Sequence, residues 1–432
     1  MLDSSDVASI SLLQPGEGDT STRTWLASIH PQLSGLLPPN RFPALLTDDL
    51  TGPGGAPIDV YDHFHLHPRL LSRPLLHLAG LMDTAQSSGG DAAVDPPPPM
   101  WPGFEQVWIP TGDGVELSGR LGLATENLQV KRADAIVVLS GLLGDVGIQR
   151  IEQLSVGLRL AGFHVLALEL RGAGQTEKRF PQVPYTFGIK EGRDLMKVSE
   201  WLEDRREVER TGLVAFCIGA SHALTGLWEA GHPPATVPAS YGNQNQGGVS
   251  RRPHFEAGVI ALSTNLEPRD ILEKTDTSWN ILTDPYLDGL QKGIEDRMVY
   301  KGYPSPDGSL RRLVEFELAR SGLDVPTMMK RALSDLDLLP DKGEVSKLAE
   351  VDVPVLLVHA ANDPVTPAQD VATLVSVTTN PHLAAVILPG GGHVGFPAYA
   401  RAYYYQLILA FFDPHLGVAG VRRGPYSAPR SF

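Results

Sequence analysis

The stretch Val214-Ala215-Phe216-Cys217-Ile218-Gly219-Ala220 decides the fold. Before it, residues 212–216 form a short apolar run of the kind buried on both faces of a sheet. After it, residues 218–229 have helical spacing. No loop separates the two, so Cys217 must make the turn from strand to helix by itself. Small residues two positions before and after it, Ala215 and Gly219, let strand and helix approach closely. Such a strand–turn–helix junction exposes its central side chain at the C-terminal end of a sheet, and its common form is G-x-S-x-G. Here cysteine replaces the serine and alanine the first glycine. The N-terminus of a helix carries partial positive charge, which favours thiolate over thiol.

A sheet around this junction is legible in both directions. Upstream, residues 104–109 and 115–121 read as a hairpin turned at Thr111-Gly112-Asp113-Gly114. Residues 135–139 read as a buried strand, 150–161 as a helix with Ile151, Leu154 and Leu158 on one side, and 163–168 as a strand. A loop at Arg171-Gly172-Ala173-Gly174 and a helix over 189–204 precede the junction. Downstream, strands are expected at 257–262, 355–359 and 384–388, and a last helix over 398–412. Strands alternating with helices predict a mostly parallel central sheet flanked by helices. About 90 residues separate the strands at 257–262 and 355–359, with helical stretches at 310–320 and 326–334. That is too long for a simple connection and predicts an inserted helical cap.

A nucleophile at Cys217 needs an acid and a base later in the chain, in that order. Asp363, in Ala361-Asn362-Asp363-Pro364, follows the strand at 355–359. His393, in Gly391-Gly392-His393-Val394-Gly395-Phe396, lies in a glycine-flanked, flexible loop after the next strand. Ser140-Gly141-Leu142-Leu143-Gly144 follows the strand at 135–139, where backbone N–H groups of Leu142 and Ile218 face a developing oxyanion. Ser221, one turn into the helix, reads as a helix-packing serine, and His222 as a packing or surface residue.

These residues resemble the α/β-hydrolase superfamily, and in detail its YheT-like branch. The resemblance rests on the Gly-Leu-x-Gly loop, Leu170-Arg171-Gly172, Ala361-Asn362-Asp363-Pro364 and Gly391-Gly392-His393-Val394-Gly395-Phe396, and spans roughly 104–415. It implies the α/β-hydrolase fold and acyl transfer of the esterase type on lipid-like or small acyl esters. Nucleophile, acid and base would be Cys217, Asp363 and His393. The sequence departs from the pattern in three places. Ser140 stands where a histidine is usual, Cys217 stands for serine as in dienelactone hydrolases and polyester synthases, and the first hundred residues have no recognised counterpart.

The remaining composition narrows function further. The chain has 432 residues, a net charge of −14 and 42% apolar residues, enough for a sizeable core. Its acidic balance argues against nucleic acid and anionic membrane surfaces as partners. One cysteine leaves no disulfide framework and no Cys-based metal site. The glycines after residue 171 lack the third glycine of a dinucleotide fingerprint, and no phosphate-binding loop is present, so no cofactor is expected. The longest apolar runs fall far short of the ~20 residues a membrane span requires. The N-terminus, Met-Leu-Asp-Ser-Ser-Asp, is acidic where a signal peptide is basic, so the expectation is a cytoplasmic protein, compatible with homo-oligomers.

The expected organisation is an N-terminal arm over 1–103 ending in a proline-rich linker (96–99), a core over 104–262 and 352–415, the cap over 263–351, and a tail over 416–432. Within the arm, 69–82 has helical spacing broken by Pro74. His63, His65 and His67 alternate but lack supporting ligands, so a polar face or interface is the simpler reading. Tyr403-Tyr404-Tyr405 reads as packing, and Arg311, Arg312 and Lys330 as a solvated face. Three functions remain open from sequence: hydrolysis of an ester, lactone or thioester, acyl transfer by the same groups, and ligand binding on a non-catalytic fold.

Overall fold

In the computed structural model the described residues are 21–38, 82, 99–142, 144–231, 253–268, 285–321, 337–341 and 343–413, all with side chains except 285–290. The strands are β1 (Phe104–Pro110), β2 (Glu116–Gly122), β3 (Thr125–Glu126), β4 (Gln129–Val130), β5 (Ala133–Leu139), β6 (His164–Glu169), β7 (Val208–Phe216), β8 (Gly258–Leu262), β9 (Val355–Ala360) and β10 (Leu383–Leu388). The helices are α1 (Thr22–Leu33), α2 (Gln149–Leu160), α3 (Gly174–Arg179), α4 (Glu191–Glu203), α5 (Ile218–Ala230), α6 (Pro285–Tyr300), α7 (Leu310–Arg320), α8 (Ala368–Val377), α9 (Phe396–Tyr399) and α10 (Arg401–Phe412).

Eight strands form one sheet in the order β1-β2-β6-β5-β7-β8-β9-β10. β1 and β2 pair antiparallel, as do β2 and β6, and every pair from β6 to β10 is parallel. This is the α/β-hydrolase fold. The hairpin between β1 and β2 closes where the sequence places it: Thr111 N–H donates to Val115 O at 3.0 Å, and Thr111 Oγ1 to Asp113 Oδ1 at 2.6 Å.

Alternation along the central strands sends their side chains into two separate cores, because successive residues face opposite sides of a sheet. Ile136, Val138, Val214, Phe216, Ile260 and Leu262 meet α1, α2 and α10 on one face. Ala135, Val137, Leu213, Ala215, Val259 and Ala261 meet α4, α5 and α8 on the other. Tyr403, Tyr404 and Tyr405 are buried packing residues of α10, as expected. The expected single last helix is broken at Ala400, whose φ of −145° and ψ of 63° leave the helical region.

Four helices escape the sequence reading: α1, α3, α6 and α8. Ser21 caps α1 by accepting from Thr24 N–H at 3.1 Å, and α1 buries Trp25, Leu26, Ile29 and Leu33. Trp25 stands edge-on to Phe411 at 5.4 Å. Arg23 reaches the carbonyls of Val375 and Thr378 at the end of α8 and of Leu383 at the start of β10, at 2.8–3.2 Å. The histidines at 63, 65 and 67, the helix expected over 326–334, Lys330, the tail over 416–432, and nearly all of the helix expected over 69–82 and of the proline linker lie outside the described residues. Arg311 and Arg312 are exposed. Among the described residues no helix is long and apolar enough to cross a membrane.

Candidate active site

β7 runs directly into α5, and Cys217 makes the turn with φ +53° and ψ −128°. A non-glycine residue in this region is strained by roughly 1–3 kcal/mol and persists only where its surroundings hold it. Here Cys217 N–H donates to Leu262 O at 2.8 Å on the neighbouring strand, and Cys217 O accepts from Ala220 N–H at 3.1 Å inside the helix. Two glycines are required by close approach. A Cβ at Gly219 would collide with the Ser140 carbonyl, and one at Gly141 would lie 2.9 Å from Cys217 Cβ. The loop after β5 therefore passes directly against the cysteine. Ile218 is the first residue of α5, where backbone N–H groups have no intrahelical acceptor. Leu142 packs with Ile218 and Cys217 in one cluster, together with Tyr185 and with Ile294 and Met298 from α6.

Asp363 and His393 come together 30 residues apart in sequence. Asp363 lies just beyond β9, and its Oδ1 accepts from Val365 N–H at 2.8 Å and Thr366 N–H at 3.0 Å. Its Oδ2 accepts from Thr366 Oγ1 at 3.0 Å, and His393 Nδ1 lies 3.0 Å from Oδ2 and 3.1 Å from Oδ1. The two side chains are 0% and 1% exposed, so the pair operates without solvent screening. Burial alone would raise the Asp363 carboxyl, but the charge and hydrogen bond of His393, then His359, hold it well below the usual carboxylate range. Burial likewise disfavours the His393 cation. The charges of Asp363 and Cys217 and the hydrogen bond to Asp363 outweigh it and raise His393 to about 10. His393 thus pairs with the acid through Nδ1 and senses the charge of the elbow cysteine.

The sequence suggests a flexible loop around His393, and the structure shows a tethered one. Gly392 N–H donates to Asn362 Oδ1 at 2.9 Å, and Val394 N–H to Ser263 Oγ at 3.1 Å. Gly395 N–H closes the turn on Gly391 O at 2.8 Å. Ser263, at the end of β8, and Val394 both have positive φ, at 49° and 56°.

Several residues at the site were not singled out in the sequence for these positions. His359 Nε2 lies 2.9 Å from Thr366 O and 3.7 Å from Asp363 Oδ2. His222 is fully enclosed, and its Nε2 lies 2.6 Å from the Tyr185 hydroxyl. Burial lowers its pKa to about 4, leaving a neutral ring. Ser221 donates to the Asn265 carbonyl, in keeping with a packing role. A pocket opens beside the loop after β5, between Gly141 and Leu142 on one side and Gly172, Tyr185 and Arg297 on the other. The four-residue spacing of His359 and Asp363 is visible in the sequence, but nothing local distinguishes it from chance. The other contacts join residues tens of positions apart.

No protein family and no curated protein matches this sequence. Solved structures with a similar chain path include an esterase of Pyrococcus furiosus, Pf2001, at 17% identity, covering 73% of this chain and 91% of that one with a TM-score of 0.46. Est1E from Butyrivibrio proteoclasticus matches at 13% identity over 70% of this chain and 98% of that one, TM-score 0.39. DcsB, solved with a substrate analogue, matches at 12% identity over 72% and 99%, TM-score 0.44.

Proposed function

We propose that this chain is an acyl hydrolase that cleaves a carboxylic ester, lactone or thioester through Cys217, His393 and Asp363. The observation that carries the reading is the buried Asp363–His393 pair, hydrogen-bonded at 3.0 Å, with the elbow cysteine among the groups whose charge raises the histidine. In this reading His393 takes the proton from Cys217 Sγ, which attacks the carbonyl carbon. The oxygen that gains the electron pair is held by the N–H groups of Ile218 and Leu142. Collapse of this adduct expels the alcohol or thiol, which takes the proton from His393. Water, deprotonated by His393, then attacks the acyl-cysteine, releasing the acid and restoring the thiol. Asp363 orients His393 and stabilises its cation.

The same reading makes 263–351 a cap over a core at 104–262 and 352–415, since Ile294, Met298, Leu313 and Val314 cluster with Cys217, Ile218 and Leu142. The resemblance of its motifs to the YheT-like branch is part of the same proposal. Wild-type, Cys217→Ser and Cys217→Ala proteins are compared on p-nitrophenyl esters and acyl thioesters, with intact mass spectrometry. Turnover, an acylated Cys217 and an inactive Cys217→Ala variant are expected. Equal rates for the three proteins and no acyl adduct overturn the reading and favour a ligand-binding role. Acyl transfer rather than hydrolysis would appear as acyl-acceptor product in place of free acid when an alcohol, amine or thiol is supplied.

A further inference from the structure

Asp363 lies between two histidines, of which only His393 has a part in the proposed chemistry. The second, His359, sits in β9 in step with Val355 and Leu357, which face the core under α4, α5 and α8. Its neighbour across the sheet is Ile387 of β10, and it is 1% exposed. Burying a polar ring among such neighbours is unfavourable unless its nitrogens find partners.

One nitrogen does. His359 Nε2 lies 2.9 Å from Thr366 O, 3.4 Å from Thr366 Oγ1 and 3.7 Å from Asp363 Oδ2. A carbonyl only accepts, so Nε2 carries a hydrogen. Thr366 Oγ1 donates its own hydrogen to Asp363 Oδ2 at 3.0 Å and is left to accept from the ring. Nδ1 is buried and makes no hydrogen bond among the described residues. A second proton there would be a buried donor without an acceptor, so the ring is fixed as the neutral Nε2–H form. Burial lowers its pKa against the pull of Asp363 and the Thr366 carbonyl, and the charge on His393 lowers it further.

Thr366 in turn holds the acid. Its N–H donates to Asp363 Oδ1 at 3.0 Å and its hydroxyl to Oδ2, while Val365 N–H donates to Oδ1 at 2.8 Å. Both carboxylate oxygens are thereby fixed, and His393 Nδ1 meets them at 3.0 and 3.1 Å.

We propose that His359 is a positioning residue: its Nε2–H anchors the Thr366 carbonyl and, through Thr366, holds the Asp363 carboxylate against His393 Nδ1. A neutral N–H suits this place, because a cation at 359 would compete with His393 for a single negative charge. The inference rests on the acyl-hydrolase reading for its kinetic consequence and on geometry for the state of the pair, so its test reads the two separately.

The test compares His359→Leu, which fills the space without a donor, with His359→Gln, whose side-chain N–H stands in for Nε2–H. NMR of the histidine ring nitrogens follows both rings as pH is varied. In the wild type His359 is expected to be neutral and protonated on Nε2 at about pH 7. In His359→Leu the titration midpoint of His393 is expected to fall by at least about one pH unit, as weakening of a charge-assisted hydrogen bond requires. There kcat for ester hydrolysis is expected to fall by at least about tenfold, with KM within about twofold. His359→Gln is expected to restore the midpoint to within about half a unit. An unmoved midpoint in the leucine variant overturns the proposal, as does an equal fall in the glutamine variant, the mark of lost packing alone. If neither variant folds, the wild-type ring decides: a proton on Nδ1, or a charged ring at about pH 7, overturns the proposal. Midpoints that behave as expected in a protein that cleaves no ester would sink the hydrolase reading alone.

Discussion

Replacing Asp363 with Asn removes one charge from a buried pair while keeping an acceptor for Val365 N–H, Thr366 N–H and the neighbouring His393. The effect must depend on pH, and its sign follows from the two shifts. Asp363 is depressed in the folded state, so its contribution is present above its unfolded value near 4 and is lost as pH falls. His393 is raised, so its contribution is full below its unfolded value near 6.5 and is lost as pH rises through about 10. Both are present together only between about pH 4 and 6.5. Each pH unit between 6.5 and about 10 removes about 1.4 kcal/mol, or on the order of 5 kcal/mol across the span. Deleting one partner of a buried ion pair costs roughly 3–5 kcal/mol, the same order. The variant is therefore expected to be less stable by about 3–5 kcal/mol near pH 6 and by only about 1 kcal/mol near pH 10, where hydrogen bonding alone differs. Urea melts of both proteins at intervals from pH 5.5 to 10 measure this difference, with other titrating groups cancelling. A difference that stays flat, or grows with pH, would refute the charged-pair account of the site.

Three more outcomes follow from the contacts. Ser263→Ala leaves the buried Val394 N–H without its acceptor and loosens the loop that carries His393. It is expected to lose about 1–3 kcal/mol in a thermal melt and to lower kcat more than it changes KM in ester hydrolysis. Gly219→Ala drives a methyl group into the Ser140 carbonyl, displacing the loop that would hold the oxyanion. Acylation of Cys217 by a p-nitrophenyl ester should slow by roughly a hundredfold, as for loss of one oxyanion donor, while far-ultraviolet circular dichroism is unchanged. Trp25→Ala empties the contact between α1 and α10. It is expected to destabilise the fold by about 3–5 kcal/mol, read from denaturant melts, and to leave kcat unaltered; a loss below about 1 kcal/mol would mean that α1 contributes little to the core.

The sequence by itself determined the elements whose signals are local. A strand buried on both faces must be a short apolar run, and a turn without a loop must carry small flanking residues. The central strands, the placement of Cys217 between β7 and α5, and the positions of Asp363 and His393 beyond β9 and β10 were all legible on those grounds. α8 was not, because Val371, Thr373, Val375 and Val377 are β-branched and mask its helical spacing. α6 carries Gly289 and Gly293, and α1 ends over Pro31, which weaken their helical patterns in the same way. Tertiary structure alone decided what surrounds Cys217, Asp363 and His393. Ser263 reaches Val394 across 131 positions, Tyr185 meets His222, and Arg297 and Lys301 face Glu177 across 120 or more. Such contacts have no periodicity to read. They depend on the parallel sheet bringing distant strand ends to one edge, and burial there turns an ordinary aspartate and histidine into a tightly held pair.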